Sequence, residues 1–453
     1  MLRMKWCAMA LAVAAFPAQA QDAGAVAALR QELESLRARL EVLEKKLQKA
    51  QAKPAPVVEA PASAPAAAAS SAFNPGISAI LNGVYANLQR DPGTYRIGGF
   101  VPSGGEVAPP RRGLGLGESE IGLSANVDPM FRGTLVAALS PDNDSVGVEE
   151  ATLQTLGLSN GFTIKAGRFF SEIGYQNRIH AHAWDFTDAP LVLKAFLGGQ
   201  LAEDGVQLKW IAPTSVYFDV GAELGRGRAF PAATSGKNGF GSSNLFAHLG
   251  DDIGESWAWQ GGLSLFSTSP RERTYTDTDS LGTSVTNSFS GTSRTWALSG
   301  VLKWAPEGNA TDKNLKLQGE YFRRRENGAL TYDTQAASLG TRSGSYDSRQ
   351  SGWYAQAVYQ FMPMWRAGYR YDRLASGVTT LGLVDTGALS PGDFPILGGH
   401  HPKRHAVMVD WSPSEFSRVR LQFARDYSRA GLADSQVFLQ YIVSLGAHGA
   451  HTF

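Results

Sequence analysis

The chain has 453 residues, a length that suits a short appendage and one large barrel better than a single ordinary globular core. Its 50 glycines and 10% aromatic residues are typical of a protein built from strands and turns. The net charge of +1 argues against nucleic-acid binding, which usually shows a clear basic excess.

The start of the chain, residues 1–20, has the layout of a secretory signal peptide. Arg3 and Lys5 precede an apolar run, and small residues before Ala20 provide a cleavage site. The apolar run is too short to cross a bilayer as a helix, which needs roughly 20 apolar residues. The single cysteine, Cys7, lies inside this segment, so the predicted mature chain has no cysteine for catalysis or metal binding.

Residues 21–50 carry the pattern of a coiled coil. Leucines recur alternately three and four positions apart over about three heptads, which is an a/d seam flanked by charged residues. This spacing predicts self-association, although leucine at both a and d leaves the number of helices open. A single amphipathic helix lying on a partner surface is the alternative. The seam consists of Leu29, Leu33, Leu36, Leu40, Leu43 and Leu47.

Residues 51–72 are rich in alanine and proline. This composition buries little apolar surface, and its prolines favour an extended spacer. We therefore expect a linker between the coiled coil, placed in the periplasm, and a separate domain over residues 73–453.

Short segments in residues 73–453 alternate apolar and polar side chains with a period of two. No segment has the apolar length of a transmembrane helix, and lipid does not satisfy an open sheet edge. The sequence therefore predicts an all-β transmembrane antiparallel barrel of about 16 strands. The predicted strands cover 76–88, 117–127, 130–140, 146–157, 161–169, 204–212, 214–224, 242–250, 255–267, 293–305, 313–325, 351–361, 364–374, 405–411, 416–427 and 435–445.

The connections support a barrel as much as the strands do. Five predicted turns on one side are short and contain proline, whereas the connections between them are often long, as in bacterial outer-membrane barrels. Tryptophans next to these turns predict an aromatic girdle at the periplasmic interface, formed by Trp210, Trp304, Trp365 and Trp411.

Charged residues of both signs occupy the polar faces of the predicted strands, which we expect to line the lumen. Because the signs are mixed, composition indicates no ion selectivity, and internal salt bridges along a solvated wall are the expected role of each residue. The lumen candidates are Glu120, Glu150, Lys316, Glu320, Arg366, Arg370, Arg418 and Arg420.

The third long connection contains the candidate ligand residues. By analogy with trimeric porins, we expect it to fold inward and narrow the channel. It includes Glu172 and the group His180, His182 and Asp185. Two histidines one residue apart, followed by a carboxylate, form a ligand set for zinc. The alternative is that both histidines pack and hydrogen-bond inside a folded loop.

Three short motifs carry a resemblance to a known group: the stretches 180–186, 197–200 and 444–453. They resemble proteobacterial outer-membrane porin-like proteins related to the phosphate-selective porins, some of which are described as zinc-regulated outer-membrane receptors. The resemblance implies a 16-stranded porin-like barrel and raises the zinc hypothesis. The terminal Phe453 also resembles the aromatic C-terminus that barrel assembly machinery recognises.

The sequence thus predicts an outer-membrane channel for diffusion of small hydrophilic solutes or ions. We expect a homotrimer, since porins with such arms are commonly trimeric, with membrane lipid and the assembly machinery as further partners. No spacing singles out a nucleophile, a base and an orienting group, so no enzyme is predicted. The alternatives are a zinc-linked uptake protein that binds metal at the third long connection, and a non-conducting envelope anchor.

Overall fold

Alternation of polar and apolar side chains produces a wall of strands in the computed structural model. The structure describes residues 75–104, 107–140, 145–233 and 238–446. The predicted signal peptide, coiled coil and linker lie outside the described residues, as does Phe453.

The described residues contain 18 strands and two short α-helices. The helices are α1 (Leu191–Leu197) and α2 (Gly382–Asp385). The strands are β1 (Gly76–Leu88), β2 (Gly113–Leu116), β3 (Ser119–Asn126), β4 (Phe131–Ser140), β5 (Ser145–Thr155), β6 (Phe162–Phe170), β7 (Ala202–Ile211), β8 (Tyr217–Gly225), β9 (Ser242–Ile253), β10 (Trp257–Thr268), β11 (Arg273–Thr278), β12 (Ser284–Trp304), β13 (Asn314–Tyr332), β14 (Arg342–Met362), β15 (Trp365–Leu381), β16 (Lys403–Ser414), β17 (Ser417–Asp426) and β18 (Asp434–Gly446).

Sixteen of these strands form one closed antiparallel barrel. Each pairs with its neighbour along the chain, and β1 pairs with β18 to close the sheet, with Ser78 opposite Gly446 and Leu88 opposite Gln436. The short β2 pairs with residues Gly83 to Ala86 of β1, and β11 pairs with the first residues of β12. The predicted all-β barrel and its strand number are confirmed.

The two ends of the barrel differ as predicted. Short turns, including all five that contain proline, lie at one end, here named the turn end. The long connections lie at the opposite end, here named the loop end. At the turn end, the rings of Trp365 and Trp411 stack across β15 and β16 at 6.1 Å, and Trp257 lies 6.1 Å from Trp304. This arrangement is an aromatic girdle of the predicted kind.

The outer face of the barrel is an apolar band between two aromatic rows. Along β12, Leu298 is 57% exposed on the outer face, whereas its neighbour Ser299 is buried on the inner face. Trp304 marks the turn-end row, and Trp296, eight residues earlier, marks the loop-end row. Eight residues span about 27 Å along a strand, which gives roughly 20 Å along the barrel axis at the usual tilt.

Strands β12 to β15 extend further toward the loop end than the sequence indicated. For example, Ser288 pairs with Thr331, well beyond the predicted limits of β12 and β13. Beyond the apolar band, toward the loop end, their outer side chains are mostly polar. The apolar outer face that marks a membrane strand is therefore lost while the hydrogen-bonded ladder continues. Among the described residues, no helix has both the length and the apolar character to cross a bilayer.

Candidate functional site: the third long connection inside the barrel

The connection between β6 and β7, residues 171–201 and here named L3, lies inside the barrel. Its backbone donates hydrogen bonds to inward side chains of distant wall strands: Gln176 to Glu320 at 2.9 Å, Thr187 to Gln422 at 2.9 Å and Leu191 to Asp372 at 2.8 Å. These acceptors belong to β13, β17 and β15. L3 therefore reaches across the lumen from its own side of the wall.

Local sequence explains how L3 turns inward. Gly174 has a φ of 73°, and a Cβ at this position would lie 2.9 Å from the Glu320 carboxylate, so glycine permits both the turn and the close approach. Pro190 precedes α1, and Gly198 ends it in the left-handed region. Every residue of α1 is buried, because the helix packs in an apolar cluster with Phe100, wall residues and other loop residues.

One side of L3 is held by basic wall residues through two aspartates. Asp185 accepts from Lys316 at 3.0 Å and from Arg366 at 3.1 Å. Asp188 accepts from Arg370 at 3.1 Å and from Lys194 of L3 at 3.1 Å, and it also contacts Arg404. Each aspartate is therefore surrounded by cations.

The other side of L3 is held by acidic wall residues through two histidines. His182 Nδ1 lies 2.7 Å from a Glu120 carboxylate oxygen, and His180 Nδ1 lies 3.3 Å from the other. His180 Nδ1 is also 3.3 Å from Glu149, and its Nε2 is 3.2 Å from Glu150. The loop thus bridges an acidic wall on β3 and β5 and a basic wall on β13 to β17.

Charges of opposite sign set the ionisation of the groups on L3. Burial disfavours a charged imidazole, but hydrogen bonds to the three surrounding carboxylates outweigh burial and raise the pKa of His180 well above its ordinary value. Burial would raise the pKa of Asp188, yet the charges of Arg404 and Lys194 hold that pKa well below its usual range. For Asp185, burial is likewise outweighed, by Lys316 and Arg366, which lower its pKa.

Water-accessible space remains on the turn-end side of L3. A cavity of about 790 Å³ is lined by charged residues that include Lys165, Glu172 and Lys209. A second cavity of about 510 Å³ lies against His180 and His182, and both cavities include Glu150 and Arg178 in their walls. The two cavities are therefore adjacent, and together they are named the charged vestibule.

Comparison with known proteins places the chain in a family. No family model matches the chain. An uncharacterized protein of Aquifex aeolicus (strain VF5) is 30% identical over 363 residues, which cover 76% of this chain and 71% of the relative. The chain belongs to that protein's family.

Comparison with solved structures shows the fold of this chain. OmpT, an outer membrane protein of Vibrio cholerae solved in a trimer form, matches with a TM-score of 0.50 at 12% identity, over 82% of this chain and 99% of that chain. A mutant of OmpT that lacks loop L8 gives the same values. The similarity shows that this chain has an outer-membrane barrel fold.

The three residues of the predicted metal group, His180, His182 and Asp185, do not lie together in the structure. His180 and His182 meet at a stacking distance of 5.6 Å, but Asp185 faces away toward Lys316 and Arg366. Glu120 takes the position that the sequence assigned to Asp185. Asp185, expected beside the histidines, is thus an anchor on the basic wall in this structure, and zinc binding by the histidines stays a prediction. Glu172, the remaining loop candidate, pairs with Arg178 at 3.4 Å.

The eight predicted lumen residues all lie on the inner side of the wall, and most of them hold L3. Arg420 donates to the Trp184 carbonyl at 2.9 Å, and Glu320 accepts from the backbone of Tyr175 and Gln176. Arg418 instead lies 4.0 Å from Asp410 on the wall. The lumen residues thus act chiefly as attachment points for L3.

Several residues of the site were missed by the sequence analysis. They are Glu149, Asp188, Asp410 and Arg404. Arg404 and Asp410 have the inward parity of β16, so the alternation that predicted this strand would have indicated them. Asp188 lies in a loop without periodicity, and nothing in its neighbourhood predicted its three cationic partners.

Proposed function

We propose that the protein is an outer-membrane channel for the diffusion of small hydrophilic solutes or ions, with L3 as its constriction. One observation carries this proposal: L3 crosses a closed barrel and is attached by ion pairs to two opposite walls. A loop held at both sides narrows a lumen without filling the charged vestibule beside it.

The outer-membrane location is supported by the outer face of the barrel. Its apolar band, roughly 20 Å along the barrel axis, is close to the height of about 25 Å that lipid contact requires, and aromatic residues border it at both ends. The long connections then face the exterior and the short turns face the periplasm, where the predicted coiled coil would begin. The short motifs that resemble phosphate-selective porins agree with this placement.

A homotrimer is part of the same proposal. The leucine seam of residues 21–50 supports self-association, and OmpT was solved in a trimer form. The apolar outer face provides surface for contact between barrels in the membrane.

The channel function predicts stepwise currents when the purified full chain is added to a planar lipid bilayer. Three coupled barrels should give steps in groups of three, because each subunit provides its own lumen. An insertion that is confirmed by electrophoresis but gives no current would contradict the channel and favour the non-conducting envelope anchor. Single independent steps would contradict the trimer alone.

A second candidate function is zinc-linked uptake, which one specific observation favours. Ligand atoms of Glu120, His180 and His182 all lie within 4.8 Å of one another. In addition, His180 Nδ1 lies 3.3 Å from both Glu120 and Glu149. Neighbouring ligands of a tetrahedral zinc ion, at bond lengths of about 2.0–2.1 Å, are separated by roughly 3.4 Å. The distances between the donors bracket this separation, and imidazole and carboxylate are donors that zinc accepts, which supports the candidate.

This candidate predicts which substitutions weaken zinc binding. We expect His182→Ala and Glu120→Gln each to weaken zinc binding by about 10–100-fold in isothermal titration, since each removes one ligand. Asp185→Asn should leave zinc affinity within about threefold of the wild type, because Asp185 lies on the basic wall. Unchanged affinity after His182→Ala would eliminate the zinc site and leave the two histidines as attachments of L3.

A further inference from the structure

Basic residues occupy the outer face of adjacent strands close to the loop-end aromatic row. Six successive strands, β12 to β17, each contribute at least one outward-facing cation. This surface, named the basic row, consists of Arg294, Arg323, Arg325, Arg349, Arg373, Lys403 and Arg425.

Sheet register places members of the basic row directly beside one another. Arg325 is opposite Arg294 on β12 and opposite Arg349 on β14. Arg373 is opposite Lys403. Like charges directly opposite each other in antiparallel strands are destabilising unless an anion lies between them. The row therefore costs stability in the isolated barrel and becomes favourable when a polyanionic partner binds.

The protein itself supplies little negative charge to this surface. On β12 to β17, all of whose residues are described, Asp347 is the one outward acidic residue. It lies 3.5 Å from Arg325 and 3.6 Å from Arg349, which remain 61% and 56% exposed. No described carboxylate forms a salt bridge with Arg294, Arg323 or Arg373.

The opposite side of the barrel lacks such a surplus. On β6, the outward Arg168 is paired with Asp204 of β7 at 2.6 Å. Among the described strands, the outward cations are thus concentrated on β12 to β17, which indicates a binding surface on this part of the wall.

The position of the basic row identifies the chemistry of its partner. Next to the basic row, on its turn-end side, are three exposed aromatic side chains that face outward: Trp296, Tyr321 and Trp353. Aromatic residues in such rows mark the boundary between hydrocarbon and headgroups, so the cations lie at headgroup level. Arginine clusters at this level bind phosphate groups through paired, charge-assisted hydrogen bonds.

We propose that the basic row binds the phosphate groups of an anionic glycolipid headgroup in the outer leaflet, and that this lipid stabilises the β12 to β17 wall. The inference rests on the outer-membrane placement of the barrel proposed above, but it does not require that the channel conducts. Lys403 and Arg425 flank the ring of Tyr427, at 5.1 and 5.7 Å, which holds both side chains against the outer surface.

The test measures lipid binding by the full chain in a phosphate-free maltoside detergent. Diphosphorylated lipid A is titrated, and the same lipid with both phosphates removed serves as the comparison. We expect tight binding of the diphosphorylated lipid alone. The variant R294Q/R325Q/R349Q/R373Q should bind it at least about 100-fold more weakly, since each headgroup-level arginine contributes roughly fivefold. Equal binding of both lipids, or an unchanged affinity of the variant, would overturn the proposal.

A matched variant controls for the loss of four positive charges. R90Q/R112Q/R228Q/R342Q removes four exposed arginines outside the basic row and should bind lipid A within about threefold of the wild type. Inorganic phosphate at millimolar concentration should not protect the wild type against heat; protection equal to that from lipid A would replace the lipid by free phosphate and overturn the proposal.

Two further measurements keep the result interpretable. In lipid-free detergent the four-site variant should unfold at the same or a higher temperature than the wild type, because like charges are removed from opposite positions. If that variant does not fold, R325Q/R373Q provides the smaller version of the same comparison. Unchanged single-channel conductance in either variant separates lipid binding from the channel function.

Discussion

Asp188→Asn is expected to destabilise the barrel by about 3–5 kcal/mol and to loosen L3. The change keeps the size of the side chain but removes the negative charge that Arg370, Arg404 and Lys194 share. The side chains of these three cations are at most 3% exposed, so water does not replace the lost partner. Denaturant unfolding in lipid vesicles measures the stability, and open-channel noise should increase because L3 is held less firmly.

The matched control for this prediction is Asp204→Asn. Asp204 forms an ion pair with Arg168 at 2.6 Å, but the two side chains are 30% and 24% exposed. Solvent screens such a pair, so the substitution should cost about 1 kcal/mol or less. Similar losses in both variants would show that Asp188 does not act as a buried counter-charge.

The stability difference between the wild type and Asp188→Asn depends on pH through the depressed pKa of Asp188. Burial opposes ionisation, but the surrounding cations keep the pKa of the folded state well below that of the unfolded chain. The stabilisation is therefore complete above the unfolded pKa, about 3.9, and is lost as the pH falls through the folded pKa. The difference between wild type and variant should be constant at neutral pH and shrink only in strong acid. A difference that disappeared near neutral pH would contradict this assignment.

His180→Gln is expected to have the second largest effect, about 2–4 kcal/mol in buffer containing a chelator. The charged imidazole lies within 3.3 Å of three carboxylates, those of Glu120, Glu149 and Glu150. Glutamine has a similar reach but no charge, so the carboxylates would repel one another across the attachment of L3 to β3 and β5. Unfolding in lipid vesicles with chelator present measures this loss without any contribution from metal.

A second substitution tests whether repulsion is the cause. Adding Glu149→Gln to His180→Gln removes one of the repelling charges and should recover at least about 1 kcal/mol, although Glu149→Gln alone should destabilise. His401→Gln, an exposed histidine of the connection between β15 and β16, is the control and should stay within about 0.5 kcal/mol of the wild type. Additive effects of the two substitutions would rule out the shared-charge explanation.

The lengths of the wall strands show how much of each strand can be predicted from the alternation of polar and apolar residues. Within the apolar band, outward leucines and tryptophans alternate with inward polar residues, so predicted and observed strands agree closely. Beyond the band the outward residues are mostly polar, as at Arg294 and Arg325, and the inward ones mix polar side chains with buried apolar ones such as Phe289. The pattern of a membrane strand therefore no longer separates a strand from a loop. The extensions of β12 to β15 and the short β2 and β11 were therefore not predictable from pattern.

The inward folding of L3 was expected by analogy with trimeric porins, whereas the sequence by itself determined the barrel, its strand number and the two different ends. These features depend on local periodicity and turn chemistry, which each segment carries independently of its partners. Only the tertiary structure decided that Asp185 faces Lys316 and Arg366, that Glu120 and Glu149 meet the histidines, and that seven cations form one row. Those contacts join residues more than 20 positions apart through barrel closure and strand register, and no single stretch of sequence encodes that distance.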